Sequence, residues 1–186
     1  YSTFLQTKAG KLKIGIVLDP LAGVTPDPEV ARAVEETGKT LQQMGHTVER
    51  AEADMGGIAT LRAMFDLFFF AFDARLDGYG QRTGRKPGPD TLEPVILAYY
   101  EHAKTITPAK FMAALGAANV ARRKLGAFYQ KYDVWLSPTT AGVSVPWGTF
   151  NLSRPGLSFD QFAEELFARP CQYTIPHNIM GTPAIS

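Results

Sequence analysis

The stretch that most limits the fold is Leu12-Lys13-Ile14-Gly15-Ile16-Val17-Leu18, together with the segments that follow it. It is short, partly β-branched and mostly apolar, which predicts a strand buried on both faces, as in a parallel sheet. Past a loop containing Pro20, Gly23 and Pro26, Asp27 stands at an N-cap position, with Pro28 at the first helical position and Glu29 in the first turn. Val30, Val34, Thr37, Leu41 and Met44 then recur at helical spacing as one stripe, and Gly45 stands where a left-handed stop is needed. His46 to Ala51 alternates as a second strand. Strand, helix, strand is a βαβ unit, so the expected fold class is α/β with layers of helix on a sheet.

The next region reads as helical for a long way. Ile58 to about Tyr79 carries Leu61, Met64, Phe65 and Leu67 to Phe70 all round its axis, which predicts one helix buried on most sides. A basic Gly/Pro-rich loop, Gln81 to Pro89, precedes a helix over Thr91 to Lys104 with Pro94 in its first turn. Thr107 and Pro108 read as N-cap and N1 of a long helix to about Tyr132. Its expected inner face is Phe111, Leu115, Asn119, Leu125 and Phe128. Asp133 to Ser137 reads as a strand stopped by Pro138, and Ala141 to Leu157 as an irregular loop. A short helix over Phe159 to Arg169 and a last helical turn or two over Tyr173 to Met180, ended by Gly181, complete the pass.

Composition narrows the function classes. Hydrophobic residues make up 45% and charged ones 20%, which excludes a disordered tail. A net charge of +1 supplies no field for nucleic acid or an acidic membrane, so neither is an expected partner. The single Cys171 rules out an intrachain disulfide and a thiolate-rich metal site, and it fits a reducing, cytoplasmic setting. The longest apolar run, Leu67 to Phe72, lies between Asp66 and Asp73, far short of the ~20 residues of a spanning helix. Tyr1 to Leu12 contains no apolar signal-peptide core, and the Pro183-Ala184-Ile185-Ser186 tail reads as a strand just starting. Both ends read as cut.

Local chemistry supplies no complete active site. None of the six serines sits in a Gly-x-Ser-x-Gly elbow. Cys171 and His177 are six residues apart, so they point to different faces of a helix, and pairing them as thiolate and base needs an irregular turn at Pro176. His46, His102 and His177 never fall at metal-ligand spacing. Asp27 and Glu29 place negative charge where a phosphate would have to bind at a helix N-terminus. Arg82, Arg85 and Lys86 have no interleaved aromatic residues and read as a solvated turn. No cofactor is implied.

Three segments together resemble the amidase signature family. The first is the strand–helix–strand already described. The second is the long helix running into Asp133-Val134-Trp135-Leu136-Ser137-Pro138-Thr139, and the third is Asn178-Ile179-Met180-Gly181-Thr182-Pro183-Ala184-Ile185-Ser186. The resemblance implies part of a three-layer α/β/α sandwich with a mixed sheet, residues 1–186 forming a single domain that is the C-terminal portion of a larger one. It further implies hydrolysis of a carboxamide through a serine acyl-enzyme. The family's lysine and two serines lie upstream of the matched part, so no catalytic residue is assigned to this chain. Thr139, at a strand's C-terminal end, and Tyr173 and Asn178, before the last segment, are the residues expected to wall an acyl pocket. Expected partners are an amide small-molecule substrate, the missing N-terminal part of the same protein and, through an uncovered core, a further copy of the chain. The Tyr173-Thr174-Ile175-Pro176-His177 approach departs from the tRNA-linked amidotransferases of the family and points to general amidases of the 6-aminohexanoate cyclic-dimer hydrolase kind. A non-catalytic α/β module that binds a small molecule is the alternative reading.

Overall fold

A computed structural model describes residues 3, 6, 7, 10–151, 153–163, 165 and 169–186. The βαβ unit forms as the sequence requires: β1 (Lys13–Ile16), α1 (Pro28–Gln43) and β2 (Thr47–Arg50). α2 (Gly57–Phe69), α3 (Phe72–Thr83), α4 (Pro94–Lys104) and α5 (Pro108–Tyr129) follow, then β3 (Val134–Leu136). Three short helices close the chain: α6 (Phe159–Phe162), α7 (Arg169–Cys171) and α8 (Ile175–Met180). The sheet order is β2-β1-β3, with Ile14 beside both Val48 and Val134. All described pairings are parallel, as strands joined by helical crossovers must be, so an antiparallel strand of the expected mixed sheet is not represented among the described residues.

Alternation along the central strand covers both faces of the sheet. Ile16 packs with Val34 of α1 on one face. Gly15 faces the other, where a Cβ would come within 2.9 Å of both Ala51 Cβ and Phe128 Cζ, so the strand tolerates no side chain there. The main core lies on this second face, joining Val17, Met55, Leu61 and Met64 to Ala121, Leu125, Phe128 and Tyr173. A separate cluster of Phe69, Val95, Tyr99, Ile106 and Phe162 lies away from the sheet.

Several expectations are corrected. Asp27 occupies the cap position of α1 without a side-chain cap bond; its Oδ2 accepts instead from the Val143 N–H at 3.4 Å. On α1 the buried positions are Val34 and Gly38, while Thr37 and Met44 are exposed. A Cβ at Gly38 would lie 2.6 Å from Ile16 Cδ1, so closeness to the sheet, not side-chain hydrophobicity, sets the inner face.

The single helix expected from Ile58 to Tyr79 is two helices. The chain breaks at Phe70 and Ala71, and Ala71 takes a left-handed φ of 59°, strain of about 1–2 kcal/mol for a non-glycine residue. Burial on most sides fails too, since Phe68 is 70% exposed. On α5, Thr107 does cap as expected, accepting from the Lys110 N–H. The inner face is Ala114, Ala118, Ala121, Leu125 and Phe128, however, while Leu115 and Asn119 face outward. Small residues there let α2 pack closely on α5. α6 is a single turn with a Ser158–Gln161 capping box; of the longer helix expected, residues 164 and 166–168 lie outside the described residues. Pro183 to Ser186 form no strand.

Candidate functional site

Among the described residues β3 pairs with β1 alone, on one side. Against β3 runs an open groove of about 800 Å³, walled by residues 133–139 on one flank and by Tyr173, Thr174, His177, Asn178 and residues 182–186 on the other. Thr139, Tyr173 and Asn178, the three residues singled out from sequence, all line it.

The groove's second wall is fastened to the segment that follows β1 by polar contacts. Gln172 has no exposed surface; its Oε1 accepts from the Ala22 N–H at 2.9 Å and its Nε2 donates to the Val24 carbonyl at 2.6 Å. Tyr173 is buried beside it and donates through its hydroxyl to the Leu18 carbonyl at 3.2 Å. Burial pushes the Tyr173 phenol up to about 12, so it stays protonated and serves as a neutral wall. Thr139 and Asn178 are exposed at the rim, Thr139 just beyond the buried Pro138 that ends the strand.

The groove also pairs His177 with Thr182, which the sequence does not mark as partners. α8 ends at Gly181, whose φ of 68° turns the chain back so that the Thr182 N–H reaches the His177 carbonyl at 3.2 Å. This brings Thr182 Oγ1 to 2.8 Å from His177 Nδ1. The one signal for it was Gly181 itself, since a left-handed cap places the residue after it over the last turn. His177 is buried, and desolvation holds its pKa below the ordinary histidine value. Its ring stands edge-on to Trp135, with centroids 5.0 Å apart, and the buried Trp135 Nε1–H has no hydrogen-bond partner among the described residues.

The Cys171–His177 dyad is not supported. Thr182 engages His177 Nδ1, and burial pushes the Cys171 thiol up, opposite to what an activated thiolate needs. Among the described residues no group of three His, Cys, Asp or Glu could hold a metal ion, and no helix is long and apolar enough to cross a membrane. The groove is thus a shaped, mostly apolar surface with a few placed polar groups.

A family model described as Amidase matches residues 1–186. The chain is 23% identical over 192 residues to a 6-aminohexanoate-cyclic-dimer hydrolase of a Pseudomonas species, covering all of this chain and 39% of that protein. It is 26% identical over 208 residues to a glutamyl-tRNA(Gln) amidotransferase polypeptide of a Picosynechococcus species, covering all of this chain and 40% of that one. Among solved structures, a 6-aminohexanoate cyclic dimer hydrolase complexed with substrate superposes with a TM-score of 0.78 at 21% identity, over 95% of this chain and 38% of that one. A bacterial aryl acylamidase of the amidase signature family gives a TM-score of 0.69 at 14% identity, over 96% and 37%. These likenesses show the fold, and the chain spans about two fifths of the length of the relatives it matches.

Proposed function

The chain belongs to the amidase family, and from that premise we propose that it is the acyl-pocket side of an amide hydrolase whose serine–lysine machinery lies in polypeptide outside these residues. The whole protein would convert a carboxamide to a carboxylate and an amine or ammonia through a serine acyl-enzyme. The supporting observation is convergence: Thr139 at the end of β3 and Tyr173 and Asn178 some forty residues on line one groove. In this reading Thr139, Tyr173 and Asn178 contact the acyl group, and this chain alone is inactive. General amide hydrolysis is favoured over a tRNA-linked role because the groove's described lining offers no Lys or Arg for a polyanion. A cytoplasmic setting fits the single Cys171.

The test compares this chain with the whole protein on a simple aryl amide. Hydrolysis by the whole protein alone, abolished by a serine-directed label, supports the reading; hydrolysis by these residues alone refutes it. A ligand-binding module without chemistry is the second reading, favoured by a groove with two walls from this chain. Saturable small-molecule binding with no hydrolysis by the whole protein would establish it.

A further inference from the structure

Both flanks of the groove are tied to chain that does not line it. Among the groove's described lining residues, none comes from residues 17–27, which connect β1 to α1. Gln172 and Tyr173 fasten the second wall to this connection at Ala22, Val24 and Leu18. At its far end the Asp27 N–H donates to the Ala141 carbonyl at 2.8 Å, two residues past Thr139 on the first wall. Leu21, Ala22, Ala141 and Tyr173 are buried in one cluster, so packing backs both ties. The connection is thus a brace between the walls. Gln172 is its most constrained contact, since it has no exposed surface and its amide fits one way round. Turned over, it would set an N–H against the Ala22 N–H and an oxygen against the Val24 carbonyl.

We infer that Gln172 is a positioning residue for this groove, holding Tyr173 and Asn178 opposite Thr139 through the brace without itself touching a ligand. The effect on turnover rests on the amide-hydrolase reading; the effect on the fold stands without it. A wall that leaves its place part of the time weakens apparent binding in proportion to that fraction. Such a wall holds substrate and transition state alike, so KM rises while kcat is spared.

The experiment measures the whole protein on one para-nitroanilide, at a temperature well below the unfolding of every variant. Gln172→Leu should raise KM at least about 3-fold, the worth of one lost hydrogen bond, with kcat changed less than about 2-fold. Gln172→Glu supplies the signature. Its carboxylic acid can accept from Ala22 and donate to Val24, whereas its carboxylate can only accept. Relative to the unaltered protein at each pH, its KM should therefore be close to normal in acid and rise as the carboxyl ionises. Ala71→Val, destabilised away from the groove, should leave KM unchanged at every pH. Hydrogen exchange in the same variants reads the brace without turnover: Gln172→Leu should speed exchange at His177 and, across the brace, at Asp27. An unchanged KM for Gln172→Leu, a Gln172→Glu profile parallel to that of the unaltered protein, or an equal rise in KM for Ala71→Val would overturn the inference. So would unchanged exchange at Asp27. If the whole protein hydrolyses no amide, the amidase reading falls, and exchange at Asp27 and His177 still decides this inference.

Discussion

Replacing Gln172 by leucine keeps the size of the side chain and removes both of its hydrogen bonds. The residue has no exposed surface, so no water can take over the Ala22 N–H or the Val24 carbonyl. Leaving a buried backbone group unpaired costs about 1–3 kcal/mol, and two such groups together cost about 2–6 kcal/mol. For a chain of this size each kcal/mol lowers Tm by about 2–4 °C, so Gln172→Leu should unfold at least about 4 °C earlier. Gln172→Glu separates the two bonds. A carboxylate can accept from the Ala22 N–H but cannot donate to the Val24 carbonyl, and burial raises its folded pKa. Because that pKa would lie above the unfolded value, stability is greatest at low pH, where the acid can donate, and declines as pH rises through the folded pKa. Urea denaturation followed by circular dichroism across the acid and neutral range measures both effects, and amide exchange at Ala22 reports the loosened loop. A loss below about 1 kcal/mol for Gln172→Leu, or a Gln172→Glu variant equally stable at every pH, would refute the clamp.

Further outcomes follow from the packing and charges. Gly15→Ala puts a methyl 2.9 Å from Phe128 Cζ, and the overpacked sheet face should cost about 1–3 kcal/mol in a denaturant titration. Ala71→Gly relieves a φ of 59° and should be neutral to stabilising by about 1 kcal/mol, whereas Ala71→Val should destabilise; both are read from Tm. Burial depresses the folded pKa of His177, and of His102 despite the opposing Asp66. The unfolded chain therefore binds protons more readily, so stability is fully present above the ordinary value of 6.5 and is lost as pH falls below it. His177→Asn should flatten that part of the pH–stability curve. Lys124→Ala removes an exposed pair with Asp54 and should change stability by less than about 1 kcal/mol, and less still at high salt.

The βαβ unit was legible because its signals coincide: Pro28 at N1, Gly45 at the turn and the apolar run of β1 all give the same answer. Thr139, Tyr173 and Asn178 came to one groove because a strand's C-terminal end and a last helical turn are local features. The inner face of α5 is hidden from the sequence because Ala114 and Ala118 add little to a hydrophobic stripe yet decide how near α2 can come. The break at Ala71 has no residue-type signal, since alanine normally favours helix and rarely takes a positive φ. The His177–Thr182 contact has no periodic signal in the sequence because it forms across a left-handed turn, at a spacing no helical or strand period contains.

That break at Ala71 also divides the molecule's response to stress. From Phe69 onward the aromatic rings meet edge to face, Phe72 and Phe159 each against Phe69 and against Tyr99. They hold α3, α4 and α6 as an annex whose core is distinct from the one beneath β1. Such a unit can open as a block while the sheet stays closed. Its amides should exchange together and earlier than those of β1, and a protease should find the Gln81–Pro89 loop before it reaches the groove.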